Sequence, residues 1–275
     1  MWVGVAKVGN RMNKMTEINF FSGNIFSLMK ELESFLRCGE SGYFSFCDTH
    51  LFLRGCEESS VFKALKGAQY VMADGLGVFL LGNIYGINFK ERIRGPDFML
   101  KFMSYGVRKG YKHYLFGGVN GAASKAKANL EKIIPGVEII GTFEPPFGPF
   151  GITDRNRVKN DLRGNPPDFF WVGLGSPKQD LWMFNNMDLL AKGYMLGVGA
   201  AFDFVSGERP RAPKFIQKIG LEWGFRMVTG GKRVFFRNLR YETKMTILLI
   251  KEFVRVCVLK KEPVLPLKWN LGNDV

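Results

Sequence analysis

Short apolar runs rich in β-branched and aromatic residues alternate with amphipathic stretches along most of the chain. Several of these runs end in glycine or aspartate and lead directly into a helical pattern. This alternation is typical of βαβ units and predicts an α/β fold with a mainly parallel sheet. The predicted strands are YFSFC near Tyr43, AQYVMA near Ala68, KHYLFGG from Lys112, VEIIGTF from Val137, DFFWVGLG from Asp168 and GYMLGVG from Gly193.

Apolar residues that recur at intervals of three and four predict helices over 24–37, 96–108, 120–133 and 178–190. After residue 207 the chain becomes basic and helix-forming, with an interruption at Gly230 and Gly231 and no further strand pattern. We therefore expect an α/β core over 1–207 and a basic helical appendage over 208–275.

The charge balance separates this chain from an ordinary globular protein. Of its 275 residues 46% are hydrophobic and 23% are charged, but Lys and Arg outnumber Asp and Glu by 39 to 25. The formal net charge of +14 favours contact with phosphate on nucleotides, nucleic acid or an anionic membrane. A basic surface that only keeps the protein soluble would give the same count.

Cysteine and histidine usage argues against disulfides, zinc and other metals. The four cysteines form no C-x-x-C pair, there are two histidines, and no D-x-D sequence occurs. We expect no cofactor and no metal, so that arginine, lysine or backbone dipoles must meet any leaving-group charge. The N-terminal stretch has no sustained apolar core, and no apolar run is long enough to span a bilayer, so a cytoplasmic location is expected.

The clearest chemical signal is the stretch VMADGLGVFLLGNIYGINFKERIRGPDF, which begins at Val71. Asp74 follows a predicted buried strand, where a carboxylate can project into a crevice and abstract a proton. The alternative is that Asp74 caps the next helix. Arg92, Arg94 and Asp97 can form an anion site with an acidic partner, or an exposed loop with surface ion pairs.

Glycine-rich loops give weaker signals. Gly117 and Gly118 in FGGVNG, and the GVGAAFD segment from Gly197, let backbone N–H groups approach a phosphate at a helix N-terminus. Neither is a complete dinucleotide fingerprint, and no P-loop occurs. In GLGSPKQD, Lys178 and Gln179 can reach a diphosphate or a sugar hydroxyl, or they begin a capped surface helix.

Two further patterns lie in the C-terminal region. Arg233, Arg237 and Arg240 share one helical face, which is either solvated or binds phosphate. Over 244–258 a basic face is set against an apolar face, so the segment lies in a membrane interface or packs on the core. The basic face holds Lys244, Lys251 and Arg255, and the apolar face holds Ile247, Ile250, Val254, Cys257 and Val258.

Over roughly 45–241 the ordered motifs ADGLGV, ERIRGPDF, LFGG, PGVEIIGTFEPPFG, VGLGSPKQD and GVGAAFDFVSGERPRAPKFIQKIGLEW resemble the WecG/TagA/CpsF family of bacterial glycosyltransferases. The resemblance implies a Rossmann-like core with helices on both faces and a membrane-associated appendage. It also implies metal-independent, inverting transfer from a UDP-sugar to an undecaprenyl-diphosphate-linked saccharide at the inner face of the cytoplasmic membrane.

Carried over by motif, the resemblance makes Asp74 the catalytic base and adds two further catalytic candidates: Arg92, which matches the family's arginine, and Gln179, which matches the glutamine of its PKQ motif. The family's Thr-x-Asn pair is replaced here, either by Ser45 and Cys47 or, with a register slip, by Asp48. The substrate-binding candidates are Ser45, Asp48, Gly75, Arg94, Asp97, Gly117, Gly118, Gly141, Lys178, Asp203, Arg233, Arg237 and Arg240.

The expected partners are the UDP-sugar donor, the lipid-diphosphate acceptor and an anionic membrane surface. A homo-oligomer is compatible with the sequence, and no specific nucleic acid is expected. Two other classes stay open on the residues alone: a nucleotide-binding oxidoreductase, disfavoured by its incomplete glycine fingerprint, and a basic nucleic-acid-binding module, suggested by charge alone.

Overall fold

The computed structural model describes residues 17–146, 148, 151–213, 215–216, 220 and 222–264, apart from the side chains of Arg226 and Arg233. Within them the strands form one parallel sheet in the order β2-β1-β6-β5-β3-β4, which confirms the predicted α/β class. The strands are β1 (Ser41–Cys47), β2 (Tyr70–Ala73), β3 (Lys112–Gly117), β4 (Glu138–Phe143), β5 (Phe169–Gly173) and β6 (Gly193–Gly197).

Helices follow nearly every strand, and the four helices predicted from periodicity are present. The helices are α1 (Ile25–Arg37), α2 (Thr49–Glu57), α3 (Ser59–Lys66), α4 (Leu76–Ile84), α5 (Gly95–Gly106), α6 (Ala122–Ile133), α7 (Ile152–Asp161), α8 (Lys178–Asn185), α9 (Ala201–Val205), α10 (Glu222–Thr229) and α11 (Gly231–Phe253).

The helix predicted over 178–190 ends early. The side-chain amide of Asn186 donates to the carbonyl oxygen of Trp182 at 2.8 Å, the acceptor that its own backbone N–H would use in a continued helix. The chain then makes a short 3₁₀ turn over Met187–Leu189.

Alternating side chains of the sheet build a hydrophobic core on each of its faces, as expected for strands buried on both sides. On one face Tyr43, Phe170 and Val172 pack with α2, α3, α4, α8 and α11. On the other, Phe169 and Trp171 pack with α1, α5, α6 and α9. The predicted arrangement of helices on both faces is confirmed.

Neighbouring strands send their connections to opposite faces of the sheet. β1 leads into α2 on the first face, β6 leads into α9 on the second, and β5 leads into α8 on the first. Where such connections diverge, a crevice opens above the carboxyl ends of the strands. The topology therefore places a crevice above β1, β6 and β5.

The C-terminal region contains α10 and α11, and α11 packs on α2 and α4. Met245 and Leu248 are buried, and a Cβ atom on Gly77 would lie 2.4 Å from the Met245 Cγ atom. Lys244 pairs with Glu57 of α2. This region is therefore joined to the α/β core by apolar contacts and by charge.

A different face of α11 carries the apolar residues predicted from the sequence. Ile247 and Ile250 are 62% and 61% exposed, so this face does not pack on the core. None of the described helices is long and apolar enough to cross a membrane. A short π-helical turn (Val254–Val258) continues α11, and we call the exposed set along both the apolar stripe of α11: Phe236, Leu239, Ile247, Ile250, Val254 and Val258.

Candidate active site

Two adjoining clefts lie above the carboxyl ends of the strands. The main cleft, of about 790 Å³, is lined by the loops that follow β1, β2, β3, β4, β5 and β6 and by the start of α11. The smaller cleft, of about 110 Å³, lies between the start of α2, the start of α4, α10 and α11. The residues that line both clefts form what we call the ridge: Asp48, His50, Asp74 and Arg237.

Asp74 stands on the ridge directly after β2. Its backbone N–H donates to the carbonyl oxygen of Cys47 at 3.1 Å, and its Oδ2 atom accepts the backbone N–H of Gly95 at 3.3 Å. Gly75, not Asp74, is the N-cap residue of α4, and no side chain caps that helix. The capping alternative for α4 is therefore wrong, and the carboxylate instead meets the start of α5.

Arg92 lines the smaller cleft near Asp74. Burial lowers the pKa of the Arg92 guanidinium, and the nearby Asp74 carboxylate opposes that shift. A half-buried cation and a carboxylate thus stand together at one end of the ridge. Among the described side chains no group of three or more His, Cys, Asp or Glu is placed to hold a metal ion.

Arg94 and Asp97 belong to an ion-pair network that holds the C-terminal region against α5. Arg94 pairs with Asp97 and lies 3.6 Å from Glu222 of α10, and Arg211 Nη2 lies 2.7 Å from Asp97 Oδ1. Arg94 also lines the smaller cleft, whereas Asp97 lines neither cleft. Asp97 thus has a structural partner in place of the expected contact with substrate.

Gln179 forms part of the floor of the main cleft. Its Nε2 atom donates to the carbonyl oxygen of Gly197 at 2.8 Å, and its Oε1 atom accepts the Gly199 N–H at 2.9 Å. A Cβ atom on Gly197 would lie only 3.0 Å from Nε2, so glycine is needed for this approach. The Gln179 amide therefore holds the turn after β6, while the exposed Lys178 lines the cleft beside it.

The end of β1 shows which positions face the cleft. Ser45 is buried, and its hydroxyl donates to Asp180 Oδ1 of α8 at 2.5 Å, so it lies beneath the cleft and not in it. Cys47 is buried as well, and burial raises the pKa of its thiol. Phe46 and Asp48 line the main cleft. Of the two registers expected for the polar pair, the structure brings Asp48 to the surface of the cleft.

The glycine loop after β3 does not offer the expected phosphate site. Glu144 accepts the backbone N–H groups of Gly121 and Ala123 at 2.9 and 2.8 Å, so a protein carboxylate fills the N-terminus of α6. Gly118 lines the main cleft. Gly117, at φ +123°, is packed against the Gly173 backbone, where a Cβ atom would approach to 2.6 Å.

The other candidates are divided between the clefts and the rest of the molecule. Gly75 lines the smaller cleft, and Asp203 lines the main cleft, where it pairs with Arg209 at 3.2 Å. Gly141 lies within β4 against the Tyr114 ring, outside both clefts. Its expected role in substrate binding is replaced by close packing of the sheet edge.

The three-arginine face is only partly at the site. Arg237 lies on the ridge, while Arg240 is exposed and lines neither cleft. The side chain of Arg233 lies outside the described residues.

Sequence reasoning missed several residues of the site. The ring of His50 meets that of Tyr241 at 4.5 Å between centroids, and burial lowers the pKa of His50, with Arg237 adding to the shift. Glu242 accepts the Thr49 hydroxyl at 3.5 Å, and burial raises the pKa of Glu242 to about 7. The position of His50, shortly after strand β1, could have indicated a place at the site. Glu242 lies on α11, which reaches the site only through tertiary packing, so no local sequence pattern indicates it.

The chain is similar to known glycosyltransferases. The model of the glycosyl transferase WecG/TagA/CpsF family matches residues 14–256. An N-acetylglucosaminyldiphosphoundecaprenol N-acetyl-beta-D-mannosaminyltransferase of Bacillus spizizenii is 22% identical over 80% of this chain and 84% of the relative.

Enzymes of the same name are similar to the chain in other species. The enzyme from Bacillus subtilis is 24% identical over 71% of this chain and 74% of its own length. The enzyme from Staphylococcus aureus is 28% identical over 62% of this chain and 65% of its own length. The family match decides against the oxidoreductase and nucleic-acid-binding alternatives. The chain is a glycosyltransferase and belongs to the WecG/TagA/CpsF family.

Proposed function

We propose that this chain transfers a hexosyl or N-acetylhexosaminyl group from a UDP-sugar to an undecaprenyl-diphosphate-linked saccharide, with inversion at the anomeric carbon. The observation that carries the proposal is the Asp74 carboxylate on the ridge between two clefts, with Arg92 and Arg237 lining the same space. The names of the relatives, which specify a diphosphoundecaprenol-linked acceptor, support the acceptor class.

The position of Asp74 on the ridge is suited to a reaction in which the acceptor hydroxyl displaces UDP in a single step. Asp74 removes the proton of the acceptor hydroxyl as that oxygen attacks the anomeric carbon from the face opposite the nucleotide. The new glycosidic bond forms while the bond to the UDP oxygen breaks, and UDP leaves with the electron pair. A single displacement forms no covalent intermediate with the enzyme, so the carboxylate that it requires is the base at the acceptor hydroxyl.

Positive groups are available for the leaving diphosphate. Lys178 and Arg237 line the main cleft, whose volume of about 790 Å³ suits a nucleotide sugar, and Arg92 adds a half-buried cation beside Asp74. Fixed cations in a partly dry site stabilise developing negative charge more than mobile ions in water do. These groups would stabilise the departing UDP without a metal ion.

A lipid-linked acceptor requires that the enzyme reach a membrane surface. The apolar stripe of α11 is exposed, and Arg240 and Lys251 are exposed on the same helix. Apolar insertion combined with basic residues is the pattern of helices that lie in the interface of an anionic bilayer. We therefore assign the protein to the inner face of the cytoplasmic membrane as a peripheral protein.

A donor screen tests the proposed reaction. The purified chain is incubated with a panel of UDP-sugars and an N-acetylglucosaminyl-diphospho-lipid in excess EDTA, and released UDP and the glycolipid product are both measured. We expect one donor to give equal amounts of UDP and product, with the opposite anomeric configuration by NMR. UDP release that does not depend on the acceptor, or a product of retained configuration, would contradict the proposal, and rescue by magnesium would contradict its metal independence.

A further inference from the structure

Glu242 is the carboxyl group that α11 brings to the smaller cleft. It is half-buried, and the Thr49 hydroxyl donates to its Oε2 atom at 3.5 Å. Thr49 is the first residue of α2, and the residue before it, Asp48, caps that helix and stands on the ridge. Glu242 thus joins the C-terminal helix to the element that carries the ridge.

We propose that Glu242 is a positioning residue: through its contact with Thr49 it fastens α11 to the start of α2 and so holds Arg237 in its place on the ridge. The inference rests on the proposed function, because it assigns to Arg237 the charge of the leaving diphosphate. Glu242 itself acts through α11 and not on the reacting atoms. Arg237 and Tyr241 precede it on the same helix, and the Tyr241 ring packs on His50 of α2.

The charged groups around Glu242 favour its neutral, protonated form when α11 is packed on α2. The other carboxylates that line the smaller cleft are Asp48, Asp74 and Glu222. Its cations already have acidic neighbours, since Arg92 lies near Asp74 and Arg94 pairs with Asp97. Arg237, which shares α11 with Glu242, is exposed to solvent, where a cation is more strongly screened.

The neighbouring rings and the outer end of this contact give Glu242 no compensating positive charge. Burial lowers the pKa of His50, which disfavours the cationic form of its imidazole. On the outer side of the contact Lys244 is paired with Glu57. Of the described side chains, none supplies an ionised Glu242 with a cation of its own beside Asp48.

The direction of the pH effect follows from this setting. Burial raises the pKa of Glu242 from 4.5 to about 7 in the docked state; the hydrogen bond from Thr49 opposes this shift, and the negative charge of Asp48 adds to it. The contribution of Glu242 to the docking of α11 is therefore fully present below the ordinary pKa of glutamate and is lost as the pH rises through about 7. Between about pH 6 and about pH 8 the protonated fraction of such a group falls about tenfold.

Three variants separate this role from simple packing. Glu242→Gln keeps an oxygen that can accept the Thr49 hydroxyl but cannot ionise, Glu242→Ala removes the contact, and Glu262→Gln removes an exposed carboxylate elsewhere as the matched control. We expect Glu242→Gln to be within about twofold of wild type at about pH 6 and to exceed it in kcat by roughly tenfold at about pH 8. Glu242→Ala is expected to have a low kcat at both pH values.

A second measurement does not depend on activity. Hydrogen–deuterium exchange of the α11 backbone, corrected for the intrinsic pH dependence of exchange, reports docking directly. We expect protection in wild type and in Glu262→Gln to fall from about pH 6 to about pH 8, and protection in Glu242→Gln to stay constant. Exchange reports docking even if no donor sugar is turned over, so a failure of the proposed function is distinguishable from a failure of this inference.

Parallel pH profiles of kcat and of α11 protection in wild type and Glu242→Gln would overturn the inference. Should Glu242→Ala fail to fold, the Gln variant alone decides, because it preserves the shape of the side chain.

Discussion

Beneath the main cleft a buried carboxyl group joins the sheet to α8. Asp180 is 0% exposed and accepts the Ser45 hydroxyl at 2.5 Å. Loss of hydration raises its pKa from 3.8 to about 7, although the bond from Ser45 opposes the shift. The protonated acid is therefore the form that suits the folded protein, and the stability it confers is lost as the pH rises from about 4 to about 7.

Replacing Asp180 with Asn should remove this pH dependence, because the amide keeps an oxygen for Ser45 and cannot ionise. Urea unfolding of both proteins at about pH 5 and about pH 8 measures the effect. Relative to wild type, we expect the Asn variant to gain on the order of 2 kcal/mol in unfolding free energy between the two pH values. Identical changes in both proteins would show that Asp180 does not titrate on folding.

Sequence reasoning at the scale of single residues worked where a side chain follows a strand. Asp74 and Asp48 both stand at such positions, and both lie on the ridge. Glycine was a poorer guide, because Gly141 and Gly117 are needed for close packing and not at a cleft. Glu242 gave no local signal, since its surroundings exist only when α11 crosses the start of α2.

Among the elements, strands and amphipathic helices were predictable because burial leaves a periodic pattern. α7 was missed because its sequence ITDRNRVKND has only two apolar residues, Ile152 and Val158, and of these only Val158 is buried. α2 and α3 were also missed, although both leave signals in the sequence. Asp48 caps α2, and Val61, Phe62 and Leu65 of α3 recur at helical spacing. The early end of α8 depends on the side-chain bond of Asn186, which periodicity does not register.

The apolar stripe of α11 gives a prediction for the helix as a whole. Ile247→Glu with Ile250→Glu changes two exposed residues, so folding should be preserved while binding to anionic liposomes falls by roughly tenfold or more. Co-sedimentation with anionic and neutral liposomes measures this. The matched control is Ile133→Glu on α6, a residue 63% exposed, which should bind as wild type does.

If the double variant sediments as fully as wild type, the stripe is not the membrane contact. Truncation before α11 is a poorer test, because Met245 and Leu248 of this helix are buried against the core and their loss would destabilise the fold.

For the whole molecule, the site is assembled from distant parts of the chain. Connections diverge from β1, β6 and β5 to open the main cleft, and α11 returns from the C-terminal region to place Arg237 on the ridge. The sequence predicted the sheet and the appendage separately, because each leaves its own pattern. The contact between them depends on ion pairs such as Arg211 with Asp97, whose partners lie far apart in the chain and have no shared local pattern.

The central claim is that Asp74 carries out proton transfer at a site whose nucleotide binding is supplied by other residues. Asp74→Asn tests it most directly, because Asn keeps an oxygen to accept the Gly95 N–H while removing the base. The control is Asp188→Asn, an exposed carboxylate outside both clefts. In a single-turnover assay we predict a rate loss of roughly 10²-fold or more with little change in UDP affinity. Near-full turnover by Asp74→Asn would contradict the account.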